Sequence, residues 1–182
     1  MDFAIPLQRN NKTLIMVTLT SIDYAHLIQF IATKMYHILL NKTQVNKILF
    51  YVYGVYLTNH EEPLFKDDTP KVWTYGPVFP RPNKKVASCE KIVREDFTQD
   101  QINAFQEDKA FLSRIVTIVG NMCNKSAFEL SQWSHEEGSP WYTTLYEKDS
   151  DNKIVNQKPW NTPISDDTIK EYFSNPRNAI FG

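Results

Sequence analysis

The segment "LSQWSHEEGSPW", residues 130–141, holds the side chains best suited to chemistry. It places His135 directly before two carboxylates, Glu136 and Glu137. Imidazole and carboxylate groups transfer protons in general acid–base catalysis, so one hypothesis is a hydrolase-like enzyme that uses these residues. The alternative is that His135 and Glu136 satisfy backbone groups at a helix C-terminus and a tight turn. We favour this structural interpretation.

A metal site at His135 is not supported by the spacing of its neighbours. A zincin needs a second histidine one helical turn away, and none follows here. The H-x-E pattern of zinc deaminases is present, but the P-C-x-x-C that supplies their thiolate ligands is absent. His26 and His37 would lie about 16 Å apart along one helix, too far to bind the same ion. We therefore predict no metal and no cofactor.

Covalent catalysis and phosphate binding also lack their motifs. There is no G-x-S-x-G elbow, and the five glycines are scattered singly rather than gathered in a phosphate-binding loop. The two cysteines, Cys89 and Cys123, belong to no CxxC pattern, which favours reduced thiols over a disulfide. We predict that the protein is not an enzyme.

Charged residues segregate in the middle of the chain. The basic stretch 81–94 is followed by the acidic stretch 95–108, which holds no lysine or arginine. A nucleic-acid-associated regulator that binds phosphates through residues 81–94 is one alternative, but no DNA-reading or RNA-reading motif accompanies them. A charged rim for a protein partner explains the segregation better. The basic side chains are Arg81, Lys84, Lys85, Lys91 and Arg94.

Size and composition predict one soluble domain. The chain has 182 residues, 42% hydrophobic and 13% aromatic, which is enough for a sizeable core. Its formal net charge of −1 gives no overall attraction to nucleic acid or to an acidic membrane. The longest apolar run, Ile48–Leu57, would span only about 15 Å as a helix, half of a bilayer core. We expect a cytoplasmic protein with no membrane partner.

Apolar periodicity predicts the helices that position these residues. The first helix begins near Ser21, with Ser21 or Asp23 as its N-cap. The second helix runs over residues 44–58, and its stretch Ile48–Leu57 is apolar on every face except at Gly54, which indicates a buried central helix with a close neighbour at the glycine.

The remaining elements follow from caps and prolines. Residues 97–122 are predicted to be helical, and a further helix begins at a capping box of Ser126 and Glu129. The last helix follows Ser165. The segment "KVWTY" is a short β-type stretch, and the prolines at 77, 80 and 82 exclude helix after it.

Residues 1–15 stand apart from this pattern. The N-terminal sequence is either a short hairpin that turns at Asn10 and Asn11 or an extension before a start at Met16, and both hypotheses stay open. We assign 1–15 to an N-terminal extension and 16–182 to a mainly α-helical domain with one or two very short β elements.

Three segments in this order resemble the Panacea antitoxin domain family, the GepA/SocA-like phage-associated proteins. "VNKILFYVYGVYL" is similar to L-Q-K-L-L-Y-F-A-x-G-W-Y-L, "PLF" with "VWTYGPVFP" to a-W-x-Y-G-P-V-x-P, and "ELSQWSHEEGSPW" to E-L-x-x-L-T-H-x-x-x-x-P-W. The resemblance runs from about Met16 to Phe173. The chain departs from it at Asn46, Val55 and Ser134, and at "RPNKK", where the family continues with an apolar-aromatic helix.

The resemblance implies a domain that acts by binding. Members neutralise a cognate toxin by direct contact, and some deliver the toxin to a protease as adaptors. The motifs then form a scaffold with an exposed edge for the partner, Trp73 and Trp141 are core anchors, and His135 is a buried polar bridge. The residues predicted to form this scaffold or to bind the partner are Trp73, Tyr75, Gly76, Pro77, Phe79, Arg81, His135, Glu136 and Trp141.

Overall fold

The computed structural model describes residues 17–181, and its first element is α1, Ser21–Tyr36. Thr20 is the N-cap of this helix, so the prediction of Ser21 or Asp23 was wrong. Asp23 instead completes a capping box: its carboxylate accepts the Thr20 N–H at 2.7 Å, and the Thr20 hydroxyl accepts the Asp23 N–H.

The second helix, α2, spans Lys42–His60 and lies at the centre of the fold, as predicted. Every residue from Val45 to Val55 is buried, so neighbours cover all faces of the helix. A Cβ atom at Gly54 would overlap the ring of Phe173, which belongs to the last helix. The predicted close approach at this glycine is confirmed.

A two-stranded hairpin follows the loop after α2. Strands β1 (Lys71–Trp73) and β2 (Gly76–Val78) pair antiparallel, with Thr74 and Tyr75 as the turn that we call the hairpin tip. Gly76 has a φ of 99°, a left-handed conformation that side chains with a Cβ rarely adopt. The predicted β stretch is confirmed, and its second strand lies in the segment that was expected to be a turn.

The prolines after this hairpin do not exclude a helix, as the sequence had suggested. A short helix, α3, spans Pro80–Lys85. Pro80 and Pro82 occupy its first turn, where a backbone N–H has no partner within the helix and its absence is harmless. The hydrogen bonds within the helix begin after this turn, where the Asn83 N–H donates to the Phe79 carbonyl at 3.1 Å.

The stretch predicted to be helical over residues 97–122 forms two helices, α4 (Gln99–Glu107) and α5 (Lys109–Met122). Asp108 separates them with a non-helical φ of −108° and ψ of 83°. Its carboxylate accepts the Phe111 N–H at 2.8 Å, which caps α5. The apolar periodicity continues across the break, so the pattern alone did not reveal it.

The C-terminal third contains two predicted helices and three elements that the sequence did not predict. The Ser126–Glu129 capping box at the start of α6 and the Ser165 cap of α8 are both confirmed. A helix after Pro140 and a hairpin with a bulge lie between them. The elements are α6 (Ala127–Ser134), α7 (Pro140–Leu145), β3 (Tyr146–Lys148), β4 (Ile154–Gln157) and α8 (Asp166–Ser174).

Every α-helix except α3 contributes side chains to one hydrophobic core cluster, and the mainly α-helical class is confirmed. Cys89 is exposed, Cys123 is buried, and both are free thiols. Within residues 17–181, every helix is too short or too polar to cross a membrane. The N-terminal extension predicted for residues 1–15 lies outside the described residues.

Candidate functional site at the hairpin tip

Lys47 is the most unusual side chain beneath the hairpin. It lies on α2 with only 1% of its surface exposed, and its ammonium donates to the Pro77 carbonyl at 3.1 Å. It forms no ion pair within residues 17–181. Burial lowers the pKa of Lys47 to about 7, because a charge without a counter-charge is poorly stabilised away from water.

Asn46, the residue before Lys47, contacts the backbone just after strand β2. Its side-chain oxygen accepts the Phe79 N–H at 3.1 Å. Its amide nitrogen donates to the Lys42 carbonyl at 2.9 Å and to the Asn83 side-chain oxygen at 3.2 Å. Asn46 thus links α2 to the residue after β2 and to α3.

The three segments that resemble the family motifs meet at Gly76. A Cβ atom at this position would lie within 2.9 Å of the Lys47 ammonium nitrogen and would overlap the Ser134 hydroxyl. Lys47 comes from the first segment, Gly76 from the second and Ser134 from the third. The absence of a side chain at Gly76 therefore allows α2, the hairpin and α6 to meet.

His135 connects the end of α6 to the hairpin tip. Its Nδ1 faces the Ser131 carbonyl, and its Nε2 lies 3.2 Å from the Thr74 carbonyl. A neutral imidazole has one N–H and can donate to one of these carbonyls, whereas a protonated ring can donate to both. The ring also meets Trp141 edge to face at a centroid distance of 3.9 Å. The predicted polar bridge is present, but His135 is half-buried rather than buried.

The two tryptophans that were predicted to be core anchors have different environments. Trp141 is 5% exposed and donates from its indole nitrogen to the Trp73 carbonyl at 2.9 Å. Trp73 is half-buried, and its own indole N–H donates to the side-chain oxygen of the exposed Asn161 at 3.1 Å. Trp141 is the core anchor that was predicted, whereas Trp73 covers the surface of the hairpin.

The carboxylates beside His135 do not join it in a catalytic pair. Both Glu136 and Glu137 are exposed. Glu137 pairs with Lys148, whose hydrogen bond and positive charge lower the pKa of that carboxyl. Both ring nitrogens of His135 face main-chain carbonyls, so the arrangement fits positioning better than proton transfer. The predicted backbone-capping role therefore applies to His135 and not to the side chain of Glu136.

The remaining predicted site residues lie in or next to the hairpin. Pro77 and Phe79 are buried, and Pro77 supplies the carbonyl that Lys47 contacts. Arg81 is exposed and pairs with Asp67 at 3.1 Å, so its guanidinium ties α3 to the loop before β1. Within residues 17–181, no group of three or more histidine, cysteine or acidic side chains forms a metal site.

Three exposed aromatic side chains surround the hairpin tip. Tyr75 is 71% exposed, Phe128 is 69% exposed and Trp160 is 48% exposed. Tyr75 and Trp160 line one cavity of about 680 Å³ beside the hairpin. The Ser131 hydroxyl donates to the Tyr75 carbonyl at 3.4 Å, and Phe128 lies three residues before Ser131 on the same face of α6. We call these three aromatic residues the tip surface.

Sequence reasoning missed Lys47, Phe128 and Trp160. A lysine directly before the apolar run Ile48–Leu57 of α2 was a signal, because a charge inside a buried helix needs a specific environment. Phe128 lies in the helix predicted after Ser126, and no sequence pattern indicates that its side chain is exposed. Trp160 lies in a segment where no element or motif had been predicted.

Comparison with known proteins identifies a family for this chain. No curated protein and no solved structure is significantly similar to the chain. The family model described as "Antitoxin SocA-like, Panacea domain" matches residues 45–142. This match begins on α2, contains the β1–β2 hairpin, and ends on α7 just after Trp141. The chain therefore belongs to the SocA-like Panacea domain family of antitoxins.

Proposed function

We propose that this protein is an antitoxin that neutralises a cognate toxin protein by direct contact and without catalysis, and that the tip surface makes this contact. The family membership supports a toxin partner in general. The observation that carries the proposal is the group of exposed aromatic side chains, Tyr75, Phe128 and Trp160, around a hairpin that buried residues hold in place.

Exposed aromatic residues of this size favour a protein interface. Tyrosine and tryptophan are enriched among the residues that contribute most to binding, because they bury a large area at a small cost in side-chain entropy. Isolated exposed apolar residues are ordinary, but Tyr75 and Trp160 line one cavity, and Phe128 lies on the helix whose Ser131 hydroxyl donates to the Tyr75 carbonyl.

The scaffold beneath the tip surface keeps it ready to bind. Lys47 holds the hairpin from below through the Pro77 carbonyl, and His135 holds the tip through the Thr74 carbonyl. The Trp141 indole N–H holds the end of β1 through the Trp73 carbonyl. A surface fixed in this way loses little conformational entropy when a partner binds.

The positions of His135 and its neighbours favour binding over hydrolysis. An acid–base pair needs a carboxylate or a water within reach of an available ring nitrogen. Here the ring nitrogens face the Ser131 and Thr74 carbonyls, and Glu137 faces Lys148. These contacts support a role in positioning the tip rather than in turning over a substrate.

The test measures binding to the product of a neighbouring reading frame that is toxic when expressed alone. Tyr75→Ala and Phe128→Ala should each weaken the complex at least tenfold, as expected for aromatic residues at the centre of an interface. Met35→Ala is the matched control, because Met35 is 55% exposed and lines a different groove, between α1 and α4–α5. Unchanged affinity in both tip variants would contradict the proposed contact surface.

A further inference from the structure

The cavity beside the hairpin has a composition that the antitoxin role does not explain. It measures about 680 Å³, and the ten residues that line it within positions 17–181 include no Asp or Glu. Trp73, Tyr75 and Trp160 supply flat aromatic walls, and Lys47, with 1% of its surface exposed, is the one charged residue type among the ten. A concave site with apolar walls and a few polar groups is the usual form of a small-molecule site.

The polar groups of this cavity have unused hydrogen-bond donors. The Lys47 ammonium has three N–H groups and donates one hydrogen bond, to the Pro77 carbonyl. The side-chain oxygens of Asn83 and Asn161 accept from Asn46 and Trp73. The side-chain NH2 groups of Asn83 and Asn161 make no hydrogen bond within residues 17–181, so the cavity has donors to offer and no acidic side chain among these residues to receive them.

A buried cation without a counter-charge is a costly arrangement. Removing an ammonium from water is unfavourable unless an anion or several acceptors replace the lost hydration. Lys47 is 1% exposed and has one carbonyl partner, and its pKa is lowered to about 7 by burial alone. A carboxylate in the cavity would supply the missing charge and accept from the free donors.

We propose that the cavity lined by Lys47, Asn83, Asn161 and the three aromatic residues Trp73, Tyr75 and Trp160 binds a small ligand that carries a carboxylate on a flat aromatic body. The carboxylate pairs with the Lys47 ammonium and accepts from the asparagine amides. The ring stacks between the aromatic walls. This site goes beyond the proposed antitoxin function: it shares Tyr75 and Trp160 with the tip surface, but Lys47 and Asn83, which hold the carboxylate, are not part of that surface.

The test compares two probes of nearly the same shape by isothermal titration calorimetry with the full chain at pH 7. Indole-3-acetate carries a carboxylate, and the neutral indole-3-acetamide has an NH2 donor in place of one carboxylate oxygen. The acetate should bind at least about tenfold more tightly, the factor expected from one charge-assisted hydrogen bond. Lys47→Met should remove this preference, whereas Lys84→Met, at an exposed lysine of α3 outside the cavity, should keep it. Trp160→Ala should weaken both probes.

Three results would overturn the proposal: equal binding of the two probes, a preference that survives in Lys47→Met, or no binding of either probe at millimolar concentration. Thermal melting shows whether Lys47→Met is folded. If it is not, Asn161→Ala replaces it, because Asn161 is exposed and its loss does not open the core. This variant should weaken the acetate several-fold more than the amide, and equal losses would again overturn the proposal.

Discussion

Replacing the buried lysine, Lys47→Met, should make the protein more stable at neutral pH. The methionine side chain has a similar length and fills the same space without a charge. Replacing a buried, uncompensated charge by an apolar side chain is often stabilising, since the cost of removing the charge from water disappears. The change also removes the hydrogen bond to the Pro77 carbonyl, which is the opposing effect.

The pKa of Lys47 gives the size and the sign of the effect. Burial lowers it from 10.5 to about 7. Between these two values the unfolded chain binds more protons than the folded chain, so the parent protein gains stability as the pH rises, while below pH 7 the full penalty is present. The lowered pKa of Lys47 therefore reduces the free energy of unfolding by about 4 kcal/mol at pH 7 and by about 2 kcal/mol at pH 9, relative to a side chain that carries no charge. An unpaired carbonyl at Pro77 costs about 1–3 kcal/mol, so Lys47→Met should be more stable at pH 7 by about 1–3 kcal/mol.

Urea unfolding followed by circular dichroism at pH 7, 8 and 9 measures this difference. The advantage of Lys47→Met over the parent should shrink by about 2 kcal/mol between pH 7 and pH 9. The control, Lys84→Met, changes an exposed lysine and should follow the parent at every pH. If the free energies of unfolding of Lys47→Met and the parent change equally with pH, the pKa of Lys47 is not lowered, because Lys47 then stays charged in the folded protein. This result would contradict the prediction.

Three further predictions concern the motifs and the N-terminus. His135→Gln should fold with at most a moderate loss of stability and still neutralise the toxin, because its amide can donate to a carbonyl, whereas His135→Ala should lose about 1–3 kcal/mol. Melting temperature and growth rescue measured together check this, and a folded His135→Gln that binds the toxin without rescue would contradict the scaffold role. Trp141→Ala should lose about 3–5 kcal/mol and the half-buried Trp73→Ala less than about 2 kcal/mol in denaturant titrations, so equal losses would count against the different burial of the two residues. A chain that starts at Met16 should keep a cooperative thermal transition, and a loss above about 2 kcal/mol would show that residues 1–15 are integral to the fold.

Local signals in the sequence predicted the features that local chemistry determines. The apolar run of α2 predicted a buried helix, and Gly54 predicted a close neighbour, which is Phe173. The capping box of Ser126 and Glu129 predicted the start of α6, because both partners lie within one turn of the chain.

Features that depend on position within an element or on distant contacts were missed. The prolines of α3 are tolerated because they fall in its first turn, which the sequence pattern does not reveal. The hairpin of β3 and β4 joins short strands, and all of β4 is exposed, so no alternation of apolar and polar residues identified it.

The candidate site depends almost entirely on tertiary contacts. Lys47 and Pro77 are 30 residues apart in the sequence, and His135 and Thr74 are 61 apart. Residue types and spacing within each segment identified the β stretch of β1 and singled out His135, but not the second strand or the partner of each side chain. The exposure of Tyr75, Phe128 and Trp160 likewise follows from how the elements pack.

Growth rescue shows whether the tip surface neutralises the toxin. Cells express the toxic product of the neighbouring reading frame together with one of three proteins. These are the parent chain, the double variant that carries both Tyr75→Ala and Phe128→Ala, and the control Met35→Ala. Growth and the amount of toxin are measured at the same time. The account predicts that the parent and Met35→Ala restore growth while the toxin level stays constant, and that the folded double variant does not restore growth. A fall in toxin level during rescue would instead indicate delivery to a protease. Full rescue by the double variant would contradict the claim that the tip surface neutralises the toxin.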